Sequence, residues 1–558
     1  MSAGSPIVEC VPNFSNGRDP DVIEAIAQAI RDVPGASLLD VDPGDATNRT
    51  VYTMVGAPDA VVQAAFSAIA RGKELIDMRG QKGAHPRMGA CDVCPFVPVA
   101  NITMEECAEL ARQLGARVGS ELNVPVYLYE NAASKPEWKN LAVVRQGEYE
   151  GLEARSTEPY WKPDFGPVFD AKAGATAIGA RPFLIAYNIN FNTREVRKAK
   201  KISAILREKG IAKRDENNEL IRDANGDMVR DPGMFRCVKG MGWFIDEYDC
   251  AQMTFNLTDY TVSSPHDLLD AARRLADDEG VVVTGSELVG LLPMDAILQA
   301  GHHYLKRQGV CRGAPHNEVI ELAIRSMGLR DVTDFDPDKR IIERQIRQDG
   351  PLVSLTVREW ADTLSSVAPA PGGGSVAALC GSMAAGLAAM VANLTVGKRG
   401  YEDKWELLDE PAVLAQHLNE AFLADIDNDT WAFDKVMDAF GMPKGTPAEK
   451  KARGAAIRAA NQGATMVPLG VLERCVQIIP CLEAALQGND NARSDAGVAV
   501  LCCKACAEGA WYNVCINTKD MKDAAFVSMV RERADAALAT VDEAAARLTA
   551  MVRQQLGG

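Results

Sequence analysis

The run Phe183-Leu-Ile-Ala-Tyr-Asn-Ile-Asn190 opens the second of two similar successions of strands and helices. Its β-branched and aromatic residues favour a strand, and the run 193–209 that follows favours a helix. Two strands at 235–248 and 251–260, a helix at 265–276 and a strand at 281–284 complete the succession. This β-α-β-β-α-β order is typical of a ferredoxin-like sheet.

The first succession begins with the same order and carries one extra helix, which a further strand follows. Strands are predicted at 7–11, 36–41, 50–55, 92–99 and 124–129, and helices at 21–32, 59–76 and 104–122. Two modules with helices on one face leave the other sheet faces free to meet. We therefore predict an α+β N-terminal half of two ferredoxin-like subdomains, 1–181 and 182–328, whose sheets face a cleft.

The second half has a different composition. Residues 329–353 are polar and charged and are predicted to be a linker. From residue 354 to 558 nearly every segment is rich in Ala, Leu, Glu, Lys and Arg, which favours helices. Helices are predicted near 355–366, 375–396, 405–440, 448–464, 467–486, 493–516 and 521–553. This half is predicted to be an all-α helical bundle.

Charge and cysteine content narrow the functional classes. A net charge of −16 argues against binding to nucleic acid. Residues 363–397 carry no charge, but their prolines, glycines and Asn393 fit a soluble bundle better than a membrane span. The fourteen scattered cysteines and the absence of a secretory segment predict a reducing, cytoplasmic location. Cys91-x-x-Cys94 has no second ligand pair at zinc spacing, so no metal is predicted.

A histidine loop is the strongest candidate site of the first half. Lys82-Gly-Ala-His-Pro-Arg-Met-Gly-Ala-Cys-Asp-Val-Cys-Pro-Phe-Val-Pro-Val99 places His85 before a proline, in rigid extended backbone. Histidine titrates near neutrality, which suits proton transfer. The alternative is a structural histidine that donates to a backbone carbonyl.

Three further features of the first half have two interpretations each. The Gly- and Pro-rich run 161–176 is either a binding loop or a simple domain linker. The basic run 194–209 is either a solvated helix face or a site for an acidic ligand tail. Acids that include Asp42 follow a predicted strand, where side chains reach a cleft, and residues 214–232 are predicted to be a polar surface hairpin or insertion.

Polar groups in the helical half indicate a second site. Pro371-Gly372-Gly373-Gly374-Ser375 precedes a helix, and free N–H groups there favour anions. In Asp425-Ile-Asp-Asn-Asp429 the spacing excludes a calcium loop. On a helix Asp425 and Asp429 would share one face, as an acid–base pair or as a solvated turn. Further polar residues interrupt apolar helices, which suggests a ligand there: Asn491, Ser494, Asp495, Asn513 and Asn517.

Many ordered motifs resemble those of the formiminotransferase-cyclodeaminase family, bifunctional folate enzymes of histidine degradation. The matching stretches span nearly the whole chain: 8–15, 38–42, 47–53, 85–89, 92–96, 124–129, 147–150, 174–176, 285–291, 370–377 and 513–514. Motifs this numerous, in order and in two unlike halves, are not expected by chance.

The resemblance implies that the first half transfers a formimino group from N-formimino-L-glutamate to N5 of tetrahydrofolate. His85 falls on the family's catalytic histidine, and Asp42 matches an acid that lines the same cleft. The family's folate-binding segment, which appears one residue shorter here than in animal members, falls on Gly166, Pro167, Val168, Phe169, Asp170, Ala171, Lys172, Ala173 and Gly174.

The second half resembles the cyclodeaminase, which closes 5-formimino-tetrahydrofolate to 5,10-methenyl-tetrahydrofolate and releases ammonia. Asp429 falls on its proposed catalytic aspartate. The pocket predicted around it comprises Gly372, Gly373, Gly374, Ser375, Asn491, Ser494, Asp495 and Asn513. Polyglutamated tetrahydrofolate is the expected co-substrate, without a metal, and the family suggests a homo-oligomeric ring of dimers.

Two other functions remain as alternatives at this point. The chain could be a transferase only, with the helical half as an oligomerisation module. It could also be a non-enzymatic scaffold that assembles through its Ala- and Gly-rich helices, although the combination of His85, Asp429 and the folate segment argues against that.

Overall fold

The computed structural model describes residues 6–45, 47–83, 86–347 and 350–557. Two compact units divide the described chain. One holds the residues up to 300 together with 324–347, and the other holds 301–323 together with the residues from 350 onward. The predicted fold class, α+β in the first half and all-α in the second, is confirmed. The predicted domain boundaries after residues 181, 328 and 353 stay predictions.

The first sheet has seven strands. In chain order its region reads β1 (Ile7–Cys10), β2 (Asn13–Phe14), α1 (Pro20–Arg31), β3 (Ala36–Gly44), β4 (Arg49–Gly56), α2 (Pro58–Leu75), β5 (Cys91–Ala100), α3 (Met104–Glu121), β6 (Val126–Glu130), α4 (Leu141–Val144), α5 (Glu148–Ser156) and β7 (Thr176–Ala180). Short 3₁₀ helices lie at Pro136–Lys139 and Pro159–Trp161. β1 and β2 share one position between β4 and β5.

The predicted ferredoxin-like order is present, but the sheet is larger than predicted. Antiparallel strands β3-β4-β1-β5 give that order, and β7 and β6 then extend the sheet in parallel beyond β5. Strand β7 was not predicted from the sequence. Three of its five residues are Ala or Gly, which have low strand preference, and it follows a Gly- and Pro-rich loop. Pairing on both sides makes this segment a strand.

The two faces of the first sheet differ. Helices α1, α2 and α3 cover the face that carries Val8 and Cys10, both fully buried. Glu9 lies between them on β1 and therefore points to the other face, because side chains alternate along a strand. A second apolar core, built around Trp138 and Tyr127, covers part of that other face. Glu9 is only 4% exposed.

The second sheet has four strands. Its region reads β8 (Ile185–Phe191), α6 (Val196–Leu206), β9 (Ile211–Ala212), β10 (Arg230–Asp231), β11 (Val238–Ile245), β12 (Cys250–Leu257), α7 (Pro265–Asp278) and β13 (Val283–Val289). Four helices follow: α8 (Met294–Arg307), α9 (His316–Met327), α10 (Pro337–Arg340) and α11 (Ile342–Ile346). The sheet order β11-β12-β8-β13 is antiparallel throughout, which is the predicted ferredoxin-like arrangement.

The segment between β9 and β10 is an exposed pair of tandem turns. Asp215 and Asp223 each accept hydrogen bonds from the backbone N–H groups two and four residues later. Arg214 and Arg222 repeat the pattern, since each donates to a backbone carbonyl four residues later. Such Asx turns fix a polar loop without an apolar core.

The helical unit is built around α13 (Gly373–Asn393). α12 (Val357–Leu364) precedes it, and α14 (Trp405–Gly441), α15 (Pro447–Gln477), α16 (Ile479–Ala485), α17 (Arg493–Thr518) and α18 (Ala524–Gln555) follow, with short 3₁₀ helices at Glu402–Lys404 and Asp490–Ala492. The small side chains of α13 allow close packing: a Cβ on Gly381 would lie 2.5 Å from the Phe422 ring of α14.

Two apolar stretches among the described residues are long enough to cross a membrane by length and composition. They are Gly373–Asn393 and Pro447–Ala485, and 61% and 50% of the respective most apolar 18-residue windows are buried within the protein. Core helices of a bundle pass the same test, so this is weak support for a membrane span.

The predicted break between helices at 448–464 and 467–486 is wrong. α15 runs continuously through Pro468. Proline lacks an N–H, so the carbonyl of Ala464 has no partner four residues later. The side-chain amide of Asn517 on α17 donates to that carbonyl at 3.0 Å. Asn517, which the sequence analysis assigned to a ligand, therefore stabilises the proline-containing helix.

Candidate active sites

The predicted catalytic His85 lies outside the described residues, but the segments on both sides of it are fixed. Before it, the carbonyl of Lys82 accepts a hydrogen bond from the Asn48 amide at 3.0 Å. Asn48 has φ 50°, in the left-handed region that asparagine tolerates in turns. After it, the carbonyl of Arg87 accepts from the N–H of Tyr149 at 2.8 Å. The loop is thus tied to the β3–β4 turn and to α5.

The predicted folate-binding segment lies directly against this loop. The N–H of Ala90 donates to Ala173 at 2.8 Å, and the N–H of Ala175 donates to Met88 at 2.9 Å. Gly174 has φ 68°, and a Cβ there would lie 2.3 Å from the Met88 carbonyl oxygen. The contact therefore requires glycine. Residues 88–90 and 173–175, about 85 residues apart in sequence, therefore lie side by side.

Within the folate segment, Asp170 organises the backbone. Its Oδ1 accepts from the N–H groups of Lys172 and Ala173 at 2.9 and 3.0 Å. Lys73 of α2 lies 3.5 Å from its other carboxylate oxygen. Val168 is half exposed. The segment is thus a fixed turn with an accessible tip.

A buried charge cluster at the start of β5 was not predicted from the sequence. Asp92 is 1% exposed and lies 3.2 Å from Nη1 of Arg49 and 2.5 Å from Nη2 of Arg145. Its Oδ1 also accepts from the N–H of Met88 at 3.0 Å. Burial lowers the pKa of Arg49 to about 10. Asp92 thus joins the histidine loop to β4 and to the end of α4.

Asp42 lies exposed on β3, opposite Val51 of β4. The turn of this hairpin contacts the segment before His85, because a Cβ on Gly83 would lie 2.1 Å from the Thr47 carbonyl oxygen. Asp40, two residues before Asp42, has a raised pKa because it is partly buried and because Asp42 is close. The placement leaves the role of Asp42 as a prediction.

In the helical unit, three neighbouring acids of α14 contact three different parts of the protein. Asp425 pairs with Arg474 of α15 at 2.7 Å. Asp427 accepts from the N–H groups of Leu352 and Val353 at 2.9 and 3.1 Å. Asp429 is directed at the N-terminus of α13. The acid run is therefore not a solvated turn: Asp425 and Asp427 are 3% and 2% exposed.

Asp429 caps α13. The hydroxyl of Ser375 lies 3.4 Å from its Oδ2, and hydrogen bonds from the Ser375 backbone and side chain lower its pKa. Burial opposes them and is larger, so the net effect is a raised pKa. A carboxyl that is desolvated yet hydrogen-bonded is suited to exchange protons. Gly374 gives it room, since no side chain stands between helix and carboxylate.

The predicted pocket around Asp429 is only partly assembled within one chain. A Cβ on Gly373 would lie 3.6 Å from the Asn513 amide nitrogen, so Asn513 lies beside the Gly-rich turn. Asn491, Ser494 and Asp495 lie at the opposite end of α17. At 1.5 Å per residue, Ser494 is roughly 30 Å from Asn513 along that helix. These three residues are not brought to Asp429 within the described chain.

The basic run on α6 is partly neutralised. Lys201 pairs with Glu279 at 2.5 Å, and Lys198 donates to the Glu279 carbonyl at 2.7 Å. Arg197 and Lys200 are exposed and make no ion pair among the described residues. Only part of the run thus remains for an acidic ligand.

These features define a protein with a carboxylate-containing site in each of two unlike units, an α+β one and an all-α one. Residues 7–181 match the family model "Formiminotransferase domain, N-terminal subdomain", and 186–347 match "Formiminotransferase domain". Residues 356–536 match the model "Formiminotransferase-cyclodeaminase".

Curated relatives cover the whole chain and each half. A formimidoyltransferase-cyclodeaminase of Dictyostelium discoideum is 41% identical, over 96% of this chain and 97% of its own length. A glutamate formimidoyltransferase of Thermoplasma acidophilum is 41% identical, over 55% of this chain and 95% of its own length. A methenyltetrahydrofolate cyclohydrolase of Methylorubrum extorquens is 43% identical, over 31% and 83% respectively. The chain belongs to the formiminotransferase-cyclodeaminase family.

Proposed function

We propose that this chain is a bifunctional folate enzyme, a glutamate formimidoyltransferase and a formimidoyltetrahydrofolate cyclodeaminase. The observation that carries the proposal is the presence, in one chain, of both domain types along nearly the whole length of bifunctional relatives. Relatives of each half also exist as separate proteins. A transferase-only function leaves the desolvated Asp429 of the helical unit without a role.

In the first reaction, N5 of tetrahydrofolate attacks the formimino carbon of N-formimino-L-glutamate. N5 loses its proton, the bond from that carbon to the glutamate nitrogen breaks, and this nitrogen takes up a proton. His85 is our proposed proton acceptor for N5. The hydrogen bonds between residues 88–90, which follow His85 in sequence, and residues 173–175 of the predicted folate segment support this assignment. Asp42 is proposed to line the same cleft.

In the second reaction, N10 attacks the amidine carbon, and the carbon–nitrogen bond to the departing group breaks. The amidine reacts in its protonated form (–CH=NH2+): N10 loses one proton, the departing –NH2 gains one and leaves as ammonia, and the positive charge stays on the 5,10-methenyl product. Asp429 is our proposed acid–base group, since one carboxyl can accept the first proton and return it. Its burial at the N-terminus of α13 supports this role.

Two variants test the division of labour. We expect His85→Ala to abolish formimino transfer and to leave cyclisation of added 5-formimino-tetrahydrofolate intact. We expect Asp429→Ala to do the reverse; glutamate release measures formimino transfer, and methenyltetrahydrofolate absorbance measures cyclisation. If either variant lost both activities while remaining folded, two independent sites would be excluded.

The finer assignments are also proposals. A metal requirement is not proposed. Cys91-x-x-Cys94 supplies two thiols and has no second ligand pair at zinc spacing. A cytoplasmic location is supported by fourteen free cysteines.

A homo-oligomer, such as a ring of dimers, is supported by large apolar side chains exposed on α14 and α17, including Phe433, Tyr512 and Ile516. Sedimentation measures the oligomeric state.

Polyglutamated tetrahydrofolate is the proposed co-substrate. A tail that stays bound while the pterin moves between sites would raise its local concentration at the second site. Arg197 and Lys200 of α6 are the exposed candidates for the tail. If they bind it, replacing both with Ala releases more intermediate with polyglutamated folate and changes nothing with the monoglutamate. If the variant released no more intermediate than the wild type with polyglutamated folate, Arg197 and Lys200 would not be the binding site for the tail.

A second candidate reaction for the helical unit is hydrolysis of methenyltetrahydrofolate. It is supported by the 43% identity to a cyclohydrolase over 172 residues. Both reactions involve the carbon that bridges N5 and N10. Incubating the enzyme with methenyltetrahydrofolate tests it, because hydrolysis would remove the absorbance faster than buffer does.

A further inference from the structure

The ion pair between Asp425 and Arg474 takes no part in the two proton transfers proposed for Asp429. Asp425 lies one helical turn before Asp429 on the same face of α14, and Arg474 reaches it from α15 at 2.7 Å. Asp425 is 3% exposed, whereas the side chain of Arg474 is 24% exposed. The Asn428 amide donates to the other oxygen of Asp425 at 3.2 Å. The Asp425 carboxylate is therefore fixed on both sides.

We propose that Asp425 and Arg474 are a positioning pair for the cyclodeaminase reaction. Arg474 holds Asp425 as a carboxylate, and this fixed negative charge makes Asp429 a stronger proton acceptor. The proposal rests on the proposed function of the helical unit. Neither residue touches the substrate in this scheme, because both act through Asp429.

Among the described residues, few other charged groups face Asp429. From α13 it meets the neutral Ser375, and from α17 the neutral Asn513 approaches the same turn. Asp427, although nearby in sequence, is directed at the backbone of Leu352 and Val353. On the face of α14 that carries Asp429, the neighbouring acid is Asp425. The cation that α15 contributes is Arg474.

The charge of Asp425 depends on Arg474. Burial raises the pKa of Asp425 to about 6, and Arg474 and Asn428 act in the opposite direction. The nearby Asp429 raises it further. Without Arg474, a buried carboxylate beside a second one would retain its proton at neutral pH. Two neighbouring carboxylates would then share one charge, and Asp429 would be the weaker base.

The pH dependence of cyclisation tests the pair in the full-length protein, with added 5-formimino-tetrahydrofolate as substrate. We expect the wild-type rate to rise through an inflection near the pH at which Asp425 ionises. In Arg474→Gln this inflection moves up by about one pH unit. Asp425→Asn abolishes the inflection and lowers the rate at pH 7.5 by about tenfold.

Arg474→Lys is the matched control, because it keeps the positive charge. Its inflection stays near that of the wild type. Transferase activity in each variant shows that the chain is folded. A purely structural ion pair would lower the rate equally at every pH, so unmoved inflections in Arg474→Gln and Asp425→Asn would overturn the proposal. Cyclisation that survives Asp429→Asn would instead overturn the proposed function of the helical unit.

Discussion

A Cβ atom on Gly374 would lie 2.2 Å from Oδ1 of Asp429 and 2.4 Å from its Cγ. The second residue of helix α13 must therefore lack a side chain for the Asp429 carboxylate to reach the N–H and hydroxyl groups of Ser375. The requirement is steric, because the φ of Gly374 is not in the left-handed region.

Replacing Gly374 with Ala should displace Asp429. The clash is with the end of a flexible side chain, so the carboxylate can rotate away at little cost in stability. We expect cyclisation to fall about a hundredfold, as when a preorganised catalytic group is lost, while formimino transfer is retained. Gly386→Ala on the same helix is the control, since its Cβ would meet nothing within 4 Å. Equal activity of the two variants would contradict the placement of Asp429.

Replacing Asp427 with Ala should release the segment before α12. Its carboxylate accepts the N–H groups of Leu352 and Val353, which then lose their acceptor. Each lost bond is worth about 1 kcal/mol, so amide exchange at each of these two positions should accelerate about fivefold. Hydrogen exchange measured by mass spectrometry checks this. Asp434→Ala, an exposed acid on the same helix, should change neither amide.

Replacing Asp92 with Asn should destabilise the α+β unit. The buried guanidinium groups of Arg49 and Arg145 would lose the carboxylate that both contact. Removing one partner of a buried ion pair costs about 3–5 kcal/mol. We expect early thermal unfolding with loss of formimino transfer, and cyclisation retained. Asp77→Asn, which removes an exposed pair with Arg79, should have no such effect. An unchanged melting temperature in Asp92→Asn would refute this.

Replacing Glu9 with Gln should stabilise the protein in a pH-dependent way. Burial raises the pKa of Glu9 from the ordinary 4.5 to about 7. Between these values the folded state binds the extra proton, so wild-type stability falls as the pH rises, and above about 7 it no longer changes. At about 1.4 kcal/mol per pH unit the full loss is about 3 kcal/mol. Glutamine does not ionise, so the Glu9→Gln variant does not lose this stability as the pH rises.

Thermal unfolding at several pH values checks the Glu9 prediction. The advantage of Glu9→Gln should be small at pH 5, grow up to pH 7 and then stay constant. An advantage that is the same at pH 5 and pH 8 would indicate a packing effect and would contradict an ionisation effect.

Local patterns predicted most of the elements. Strand-forming runs and helix caps lie close together in sequence, so most strands of both sheets and most of the long helices were predicted, whereas β7, α8 and α9 were not. The capping box of Thr103 and Glu106 is one such local signal. The prediction was wrong where a distant residue supplies what the local sequence lacks. Asn517 lets α15 continue through Pro468, and neighbouring strands make β7 a strand.

The sequence by itself determined the fold class, the family resemblance and the positions of the two proposed acid–base residues. Periodicity and motif spacing are properties of the linear sequence, so they can be recognised without the folded structure. Only the tertiary structure decided which charges meet. Asp92 finds Arg49 and Arg145 across 43 and 53 residues, and Asp425 finds Arg474 across 49. The physical reason is that burial removes the water that would otherwise solvate each charge, so packing selects the partner.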